Sequence, residues 1–327
     1  MKVSIAEIEH KCAAALVAHG AERWQASEVA KAVARAEETG NIICGLYYLE
    51  SYCTQLASGR VDGRVEPEVS VPRPGAITVN ARFGFAQPAF QRGLPLAIEA
   101  ARSCGIASLA IAHSHTCTSL GYFTEQISAA GLIGIGFTNA SAIVAGPGGR
   151  KRTIGTNPIA FTVPGAGGPA MHADFSTSAV ALGKITMAKA AGESIPLGWA
   201  VDENGTPTTD PARALDGALV SAADYKGWAL GLLVEILAAG LTGSVNSLDV
   251  KGLKVPDGPP HDLGQFYILI DPDSHATTLA ARIERVAAEI ATDPGVRLPG
   301  STPKRRDSVE VDDVLWERIE ALSDAPA

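Results

Sequence analysis

Four short polar segments carry the side chains of this 327-residue chain best suited to chemistry. They are His113-Ser114-His115-Thr116, Gly155-Thr156-Asn157-Pro158, His172-Ala173-Asp174-Phe175-Ser176-Thr177-Ser178 and Tyr225-Lys226-Gly227. Together they offer hydroxyls, a carboxamide, a carboxylate and a lysine. Each lies beside an apolar run, at the kind of sheet-to-loop junction where α/β proteins place their sites. Lys226-Gly227 has the plainest physics. The glycine allows close backbone approach, the helix start that follows presents unpaired N–H groups and a positive dipole end, and the ammonium adds a full charge. That is a cradle for an anion such as a pyrophosphate.

The spacing of apolar residues predicts the elements that position these segments. Ile5, Ile8, Cys12 and Leu16 recur at helical spacing, a second helix is expected from a Ser27 cap to Gly40, and Leu46, Leu49, Cys53 and Leu56 line a third. Residues 60–75 shift to glycine, proline and charge and read as a connection. Strands are then expected at 76–79, 106–112, 132–138, 159–163, 170–175 and 266–270, and helices at 90–103, 120–130, 178–191, 226–239 and 277–291. Strands and helices alternate through the middle of the chain, so the fold class is α/β.

Composition narrows the function. Hydrophobic residues make up 46% of the chain and charged residues 19%, a balance that supports a packed core and argues against disorder. The net charge is −8 and the basic clusters Arg150-Lys151-Arg152 and Lys304-Arg305-Arg306 are short, so nucleic acid is not the expected partner. Five cysteines with no C-x-x-C pair, and seven histidines at no zinc spacing, point to reduced thiols, no metal site and a cytoplasmic protein. No membrane-spanning run is present in the sequence pattern. A G-x-G-x-x-G turn, a P-loop and a G-x-S-x-G elbow are all missing, which weakens the classical dinucleotide, NTPase and α/β-hydrolase readings.

Five ordered motifs carry a resemblance. Gly155-Thr156-Asn157-Pro158-Ile159-Ala160-Phe161, Asp174-Phe175-Ser176-Thr177-Ser178 with Gly183-Lys184, Tyr225-Lys226-Gly227-Trp228-Ala229-Leu230, Glu235-Ile236-Leu237-Ala238-Ala239-Gly240-Leu241-Thr242-Gly243 and Leu298-Pro299-Gly300 resemble the signatures of the malate/L-lactate dehydrogenase family that lacks the classical Rossmann fold. Phe83-Gly84-Phe85-Ala86-Gln87-Pro88-Ala89 and Leu56-Ala57-Ser58-Gly59-Arg60-Val61-Asp62-Gly63 look most like the Δ1-piperideine-2-carboxylate/Δ1-pyrroline-2-carboxylate reductases of that family. The resemblance implies a mixed-sheet NAD(P)-binding domain of non-Rossmann topology at 116–264. It also implies a helical N-terminal dimerisation and substrate layer at 1–115, joined by 265–327. A homodimer follows, with hydride transfer from NADPH, or NADH, to carbon 2 of a small 2-oxo or 2-imino carboxylate. Carried over by position, the cofactor meets Thr116, Cys117, Thr118, Ser119 and Leu120, Asp174, Phe175 and Ser176, Lys226 and Gly227, and Leu298, Pro299 and Gly300, with Thr156 near the substrate.

The departures from the family pattern bear on mechanism. The family's proton-donor histidine aligns with Cys44, its carboxylate-clamping arginine with Tyr48, and a second histidine with Thr116, although His115 immediately precedes it. Candidate catalytic residues are therefore Cys44, Tyr48, His115 and Asp174. Tyr48 and Arg82 are candidates for the substrate carboxylate, with Arg150 and Lys184 as further cations. Each has a plainer alternative: Cys44 as a small core thiol, Tyr48 packed on Tyr47 and Tyr52, His115 satisfied at a strand end, and Asp174 capping the helix near Ser178. A cyclic iminium already carries its proton, so losing a donor harms C=N reduction less than C=O reduction. The expected activity is reduction of a cyclic 2-imino carboxylate. The alternatives are a 2-hydroxy-acid dehydrogenase of the malate, lactate or sulfolactate kind, or a cofactor-binding protein without redox activity.

Overall fold

The computed structural model describes residues 1–275, 277–300 and 306–325, so Lys304 and Arg305 of the second basic cluster lie outside the described residues. A seven-stranded sheet forms the centre, built from β1 (Glu68–Arg73), β2 (Ala76–Asn80), β3 (Ile106–Ser114), β4 (Ile133–Thr138), β5 (Ile159–Gly165), β6 (Gly168–Phe175) and β7 (Leu263–Ile270). Its order is β1-β2-β3-β7-β4-β5-β6. Among these pairings only β2 with β3 is parallel, so the sheet is mixed and unlike the parallel sheet of a doubly wound fold. Strand β7 enters last yet lies at the centre. Apart from the buried Gln265 it is apolar, because both faces are covered: Tyr267 and Leu269 join one core, Phe266 the other.

Helices α1 (Ile5–Ala18), α2 (Arg23–Thr39) and α3 (Leu49–Ala57) make a separate layer with α8 (Asp313–Ser323), whose Trp316 and Ile319 are fully buried in it. Chain ends are tied there by an antiparallel pairing of Lys2–Ser4 with Ser308–Glu310. The Ser4 hydroxyl caps α1 by accepting the Glu7 N–H. Helices α4 (Ala86–Cys104) and α5 (Gly121–Ala129) cover one face of the sheet, with Phe90 and Phe123 against Tyr267. Helix α7 (Tyr225–Glu235), continued by a π-helical turn over Ile236–Gly240, puts Val234 and Ala238 on the other face. Helix α6 (Leu182–Ala191) packs with a four-stranded sheet of two- and three-residue strands around a third core.

Three expectations change. The second helix begins at Arg23, a turn before Ser27, because its buried stripe already includes Gln25 and Ala26. The stretch expected as a connection contains β1, an exposed edge strand carrying Pro72, which has little apolar periodicity to show. Residues 178–181 are not helical: Ser178 bridges to Ser221 and donates its hydroxyl to the Val180 carbonyl. The central sheet draws strands from both sides of the expected boundaries at 115/116 and 264/265.

Candidate functional site

The site is assembled where β3 and β6 end, beside two short 3-10 turns, Ile42–Cys44 and Leu46–Tyr48. Those turns are fixed by Glu37 of α2. Its buried carboxylate accepts the Leu46 N–H at 2.7 Å, and burial holds its pKa above the usual carboxylate value. Gly45 is required at this point, since a Cβ there would stand 2.1 Å from the Glu37 Oε1. Cys44 is thereby set beside Asp174 and Tyr48. Burial first, and the Asp174 carboxylate second, push the Cys44 thiol up to about 12, with the Asn41 side chain working against them. Burial, Tyr47 and Cys44 push the Tyr48 phenol up to about 12. Tyr48 also packs edge-on against Tyr47 and stacks on Tyr52, so it is both a packing residue and a neighbour of the thiol.

Asp174, at the end of β6, accepts two hydrogen bonds on Oδ2 at 2.8 Å, from the Ser119 hydroxyl and the Gly121 N–H. It therefore caps α5, not a helix following in sequence, and it joins the segment of Thr116, Cys117, Thr118, Ser119 and Leu120 to the strand end. Oδ1 has no hydrogen-bond partner among the described residues. The Phe83–Ala89 motif is a support for the same loop: Gln87 Nε2 donates to the Cys117 carbonyl at 3.1 Å, the His115 N–H donates to the Gly84 carbonyl, and Phe85 packs edge-on against the His115 ring.

His115 is only 1% exposed. Its Nε2–H donates to Gln55 Oε1 at 2.5 Å while Nδ1 has no partner, which fixes one neutral tautomer. Burial, His261 at 4.7 Å between ring centroids, and the Arg60 guanidinium hold its pKa well below the usual histidine value. His261 is pushed down to about 3 by burial and Arg60, against a weaker pull from the Gly252 backbone.

The expected cofactor residues converge on the same region. The Leu298-Pro299-Gly300 loop reaches β6, where the Pro299 carbonyl accepts the His172 N–H at 3.0 Å, two residues before Asp174. His172 itself is engaged by Thr162 Oγ1 at 2.9 Å and lies 3.8 Å from Glu125. Thr177, just past Phe175 and Ser176, donates through N–H and hydroxyl to the Thr156 carbonyl, and its own carbonyl accepts the Ala222 N–H. Gly227 lies against that junction: a Cβ on it would fall 2.0 Å from the Ala222 carbonyl oxygen and 2.9 Å from that of Thr177. No side chain caps the start of α7, and the exposed Lys226 has no carboxylate partner among the described residues. This uncapped helix start with a free ammonium fits the pyrophosphate of a dinucleotide.

Other candidates are committed elsewhere. Asn157 is buried and donates to the Gly231 carbonyl and Glu235 Oε2, tying the Thr156 turn to α7. Arg82 is ion-paired with Glu68 of edge strand β1 at 3.2 Å. Lys184 is exposed at the start of α6, whose Gly183 packs against Ile43. Arg150 is exposed and lies beside Gly205. The residues around Lys254 were not foreseeable, because the loop that carries it has neither periodicity nor a motif. No cluster of His, Cys, Asp and Glu among the described residues forms a metal site, and no described helix is long and apolar enough to cross a membrane.

Comparison with known proteins shows the family and the fold. A (2R)-3-sulfolactate dehydrogenase (NADP(+)) of Chromohalobacter salexigens is 38% identical over 326 residues, covering 98% of each chain. A Δ1-pyrroline-2-carboxylate reductase of Ancylobacter novellus is 36% identical over 332 residues, covering 98% of this chain and 97% of that one. The crystal structure of Δ1-piperideine-2-carboxylate reductase from Pseudomonas syringae pvar. tomato superposes with a TM-score of 0.90 at 34% identity, over 98% of this chain and 99% of that one. Residues 3–320 match the family described as malate/L-lactate dehydrogenase, and this chain is an NAD(P)-dependent oxidoreductase belonging to that family.

Proposed function

We propose that the chain reduces small cyclic 2-imino carboxylates of the Δ1-piperideine-2-carboxylate and Δ1-pyrroline-2-carboxylate type, using NADPH, with NADH as the alternative donor. When bound, the reduced nicotinamide supplies the hydride that reaches carbon 2. The observation that carries the reading is the state of the three candidate acids. The Cys44 thiol and Tyr48 phenol sit at about 12, and His115 is buried and neutral. None is matched to proton donation near neutral pH. Reduction of a ketone leaves an alkoxide that must be protonated as hydride arrives. A protonated ring imine brings its proton on nitrogen and is neutralised by the hydride, so it needs no donor.

In this reading Asp174 faces the iminium charge with its free Oδ1, Cys44 lines the pocket, and the Tyr48 and Thr156 hydroxyls bond the substrate. His115 keeps the loop of residues 116–120 in place. That loop, Asp174 to Ser176 and Lys226-Gly227 hold the cofactor in a unit spanning 116–264; 1–115 and 265–327 form the substrate side, from which Leu298 to Gly300 reaches over to the cofactor. Two copies associate. The exposed apolar row of Leu230, Leu233, Ile236 and Leu241 along α7 and its extension offers a face for the second copy. A second reading, a 2-hydroxy-acid dehydrogenase, is favoured by the likeness to the sulfolactate dehydrogenase. Measuring NADPH oxidation with both cyclic imines beside sulfopyruvate, oxaloacetate and pyruvate decides between them. Faster turnover of the oxo acids reverses the ranking.

A further inference from the structure

The substrate carboxylate needs a cation: Tyr48 stands where the resemblance expects arginine, Arg82 is ion-paired with Glu68, and Lys184 and Arg150 are exposed on other segments. We propose that Lys254 supplies it, as a substrate-binding residue delivered by the loop of residues 252–259; this rests on the proposed reductase function. The Lys254 ammonium lies 4.1 Å from the Tyr47 ring centroid and 5.9 Å from that of Tyr48, and it donates to the Tyr47 hydroxyl at 2.6 Å. No carboxylate among the described residues pairs with it; Glu50, which lines the same 380 Å³ cavity, is engaged by Arg318 at 3.3 Å. A lysine resting on tyrosine faces keeps its charge available and reaches a neighbouring anion on a flexible four-carbon stem.

The way this loop is fastened shows that its position matters. Three side chains from the end of α3 and the turn after it bind its backbone. Gln55 Nε2 donates to the Leu253 and Val255 carbonyls, the Ser58 hydroxyl to Pro256, and the Arg60 guanidinium to Gly252, Val255 and Pro259. Gln55 is wholly buried and Arg60 is 1% exposed; among the described residues Arg60 forms no ion pair, feeling Asp257 only at longer range, and its Nη2 is unbonded. Burying a guanidinium on neutral carbonyls carries a desolvation cost that its hydrogen bonds must offset, so the loop carbonyls are tied to Arg60 wherever it is folded in. Gln55 Oε1 also accepts the His115 Nε2–H, and Ser119 of the loop that follows His115 donates to Asp174. One short path thus fixes the base of the Lys254 loop relative to the carboxylate that faces the iminium. The positive and negative ends of a 2-imino carboxylate are met by Asp174 and Lys254 respectively.

The test compares wild type with Lys254→Met, Lys254→Arg and, as a control on the residue just before the loop, Lys251→Met. Steady-state reduction of Δ1-piperideine-2-carboxylate is measured, together with calorimetric binding of picolinate, a flat carboxylate analogue, to the NADP-loaded protein. Loss of a charge-assisted hydrogen bond predicts that Lys254→Met raises KM and the picolinate Kd about tenfold or more, a larger effect than on kcat. Lys254→Arg should recover most of the affinity, Lys251→Met should match wild type, and the wild-type KM should rise with salt. An unchanged KM and Kd in Lys254→Met overturns the assignment while leaving the reductase reading intact. A wild type inactive on every imine overturns the reductase reading, and picolinate binding that is equal in wild type and Lys254→Met, or undetectable in both, overturns the lysine assignment as well.

Discussion

Replacing Cys44 by histidine adds what the site lacks, a donor that titrates near neutral pH. The thiol is held at about 12 by burial and Asp174, whereas a histidine starts from about 6.5. Burial lowers an imidazole and the Asp174 carboxylate raises it, so the two act on the new residue in opposite directions. A gap of about 5.5 units and a Brønsted slope of about one half make the histidine the better acid by about five-hundredfold; with roughly a quarter protonated at pH 7, the net gain is about a hundredfold. That is about 2.7 kcal/mol off the barrier. The gain belongs to ketones alone, because the iminium has no use for the donor. Cys44→His, alone and with Tyr48→Arg, is therefore expected to raise kcat for sulfopyruvate and oxaloacetate about a hundredfold while the imine rate stays within a few fold. The assay is loss of dihydropyridine absorbance under saturating NADPH, with thermal unfolding as a control for folding. Imine and ketone rates that move together, or no gain on any oxo acid in a folded variant that still binds NADPH, would refute the reasoning.

Three further outcomes are expected. His115 and His261 have folded-state pKa values below that of the unfolded chain, so their contribution to stability is complete well above pH 6.5 and is lost as pH falls; the pair should cost about 3 kcal/mol between pH 6.5 and 5, read by denaturant unfolding at the two pH values. An acid stability equal to that at pH 7 would show that the pair is not held neutral. Lys226→Ala should weaken NADPH binding about five- to tenfold at low salt, with the difference shrinking as salt rises; fluorescence titration checks this, and an unchanged Kd removes Lys226 from the phosphate cradle. Leu233→Asp with Ile236→Asp should convert a dimer to monomers in sedimentation velocity, and an unaltered dimer would place the interface elsewhere.

The parts of the site legible in the sequence were those whose physics is local. The Lys226-Gly227 helix start, the polar ends of β3 and β6 and the Thr156 turn each announce themselves within a few residues, and the structure joins them through Thr177, Ser119 and Asp174. What was not legible depends on partners far along the chain. Asp174 reaches back across 53 residues to cap α5 instead of serving a helix after it. Gln55 and Arg60 bind carbonyls nearly 200 residues away, and backbone acceptors leave no trace in residue type. The small sheet was invisible because its strands are two or three residues long, too short for a period-two pattern. Strand β7 was recognisable as an apolar run, but nothing in that run marks it as the strand inserted between β3 and β4.

The claim that the substrate carries its own proton is tested most directly by the pH dependence of kcat/KM for Δ1-piperideine-2-carboxylate, set beside the ionisation of the free imine measured by titration of the substrate alone. The alkaline limb of the profile is expected to fall at the pKa of the imine nitrogen, in wild type and in a Tyr48→Phe variant alike, with no further inflection from the protein across the neutral range. A limb displaced from the substrate's own pKa, and moved again by substitution of Cys44 or Tyr48, would contradict it, since the proton would then be coming from the protein.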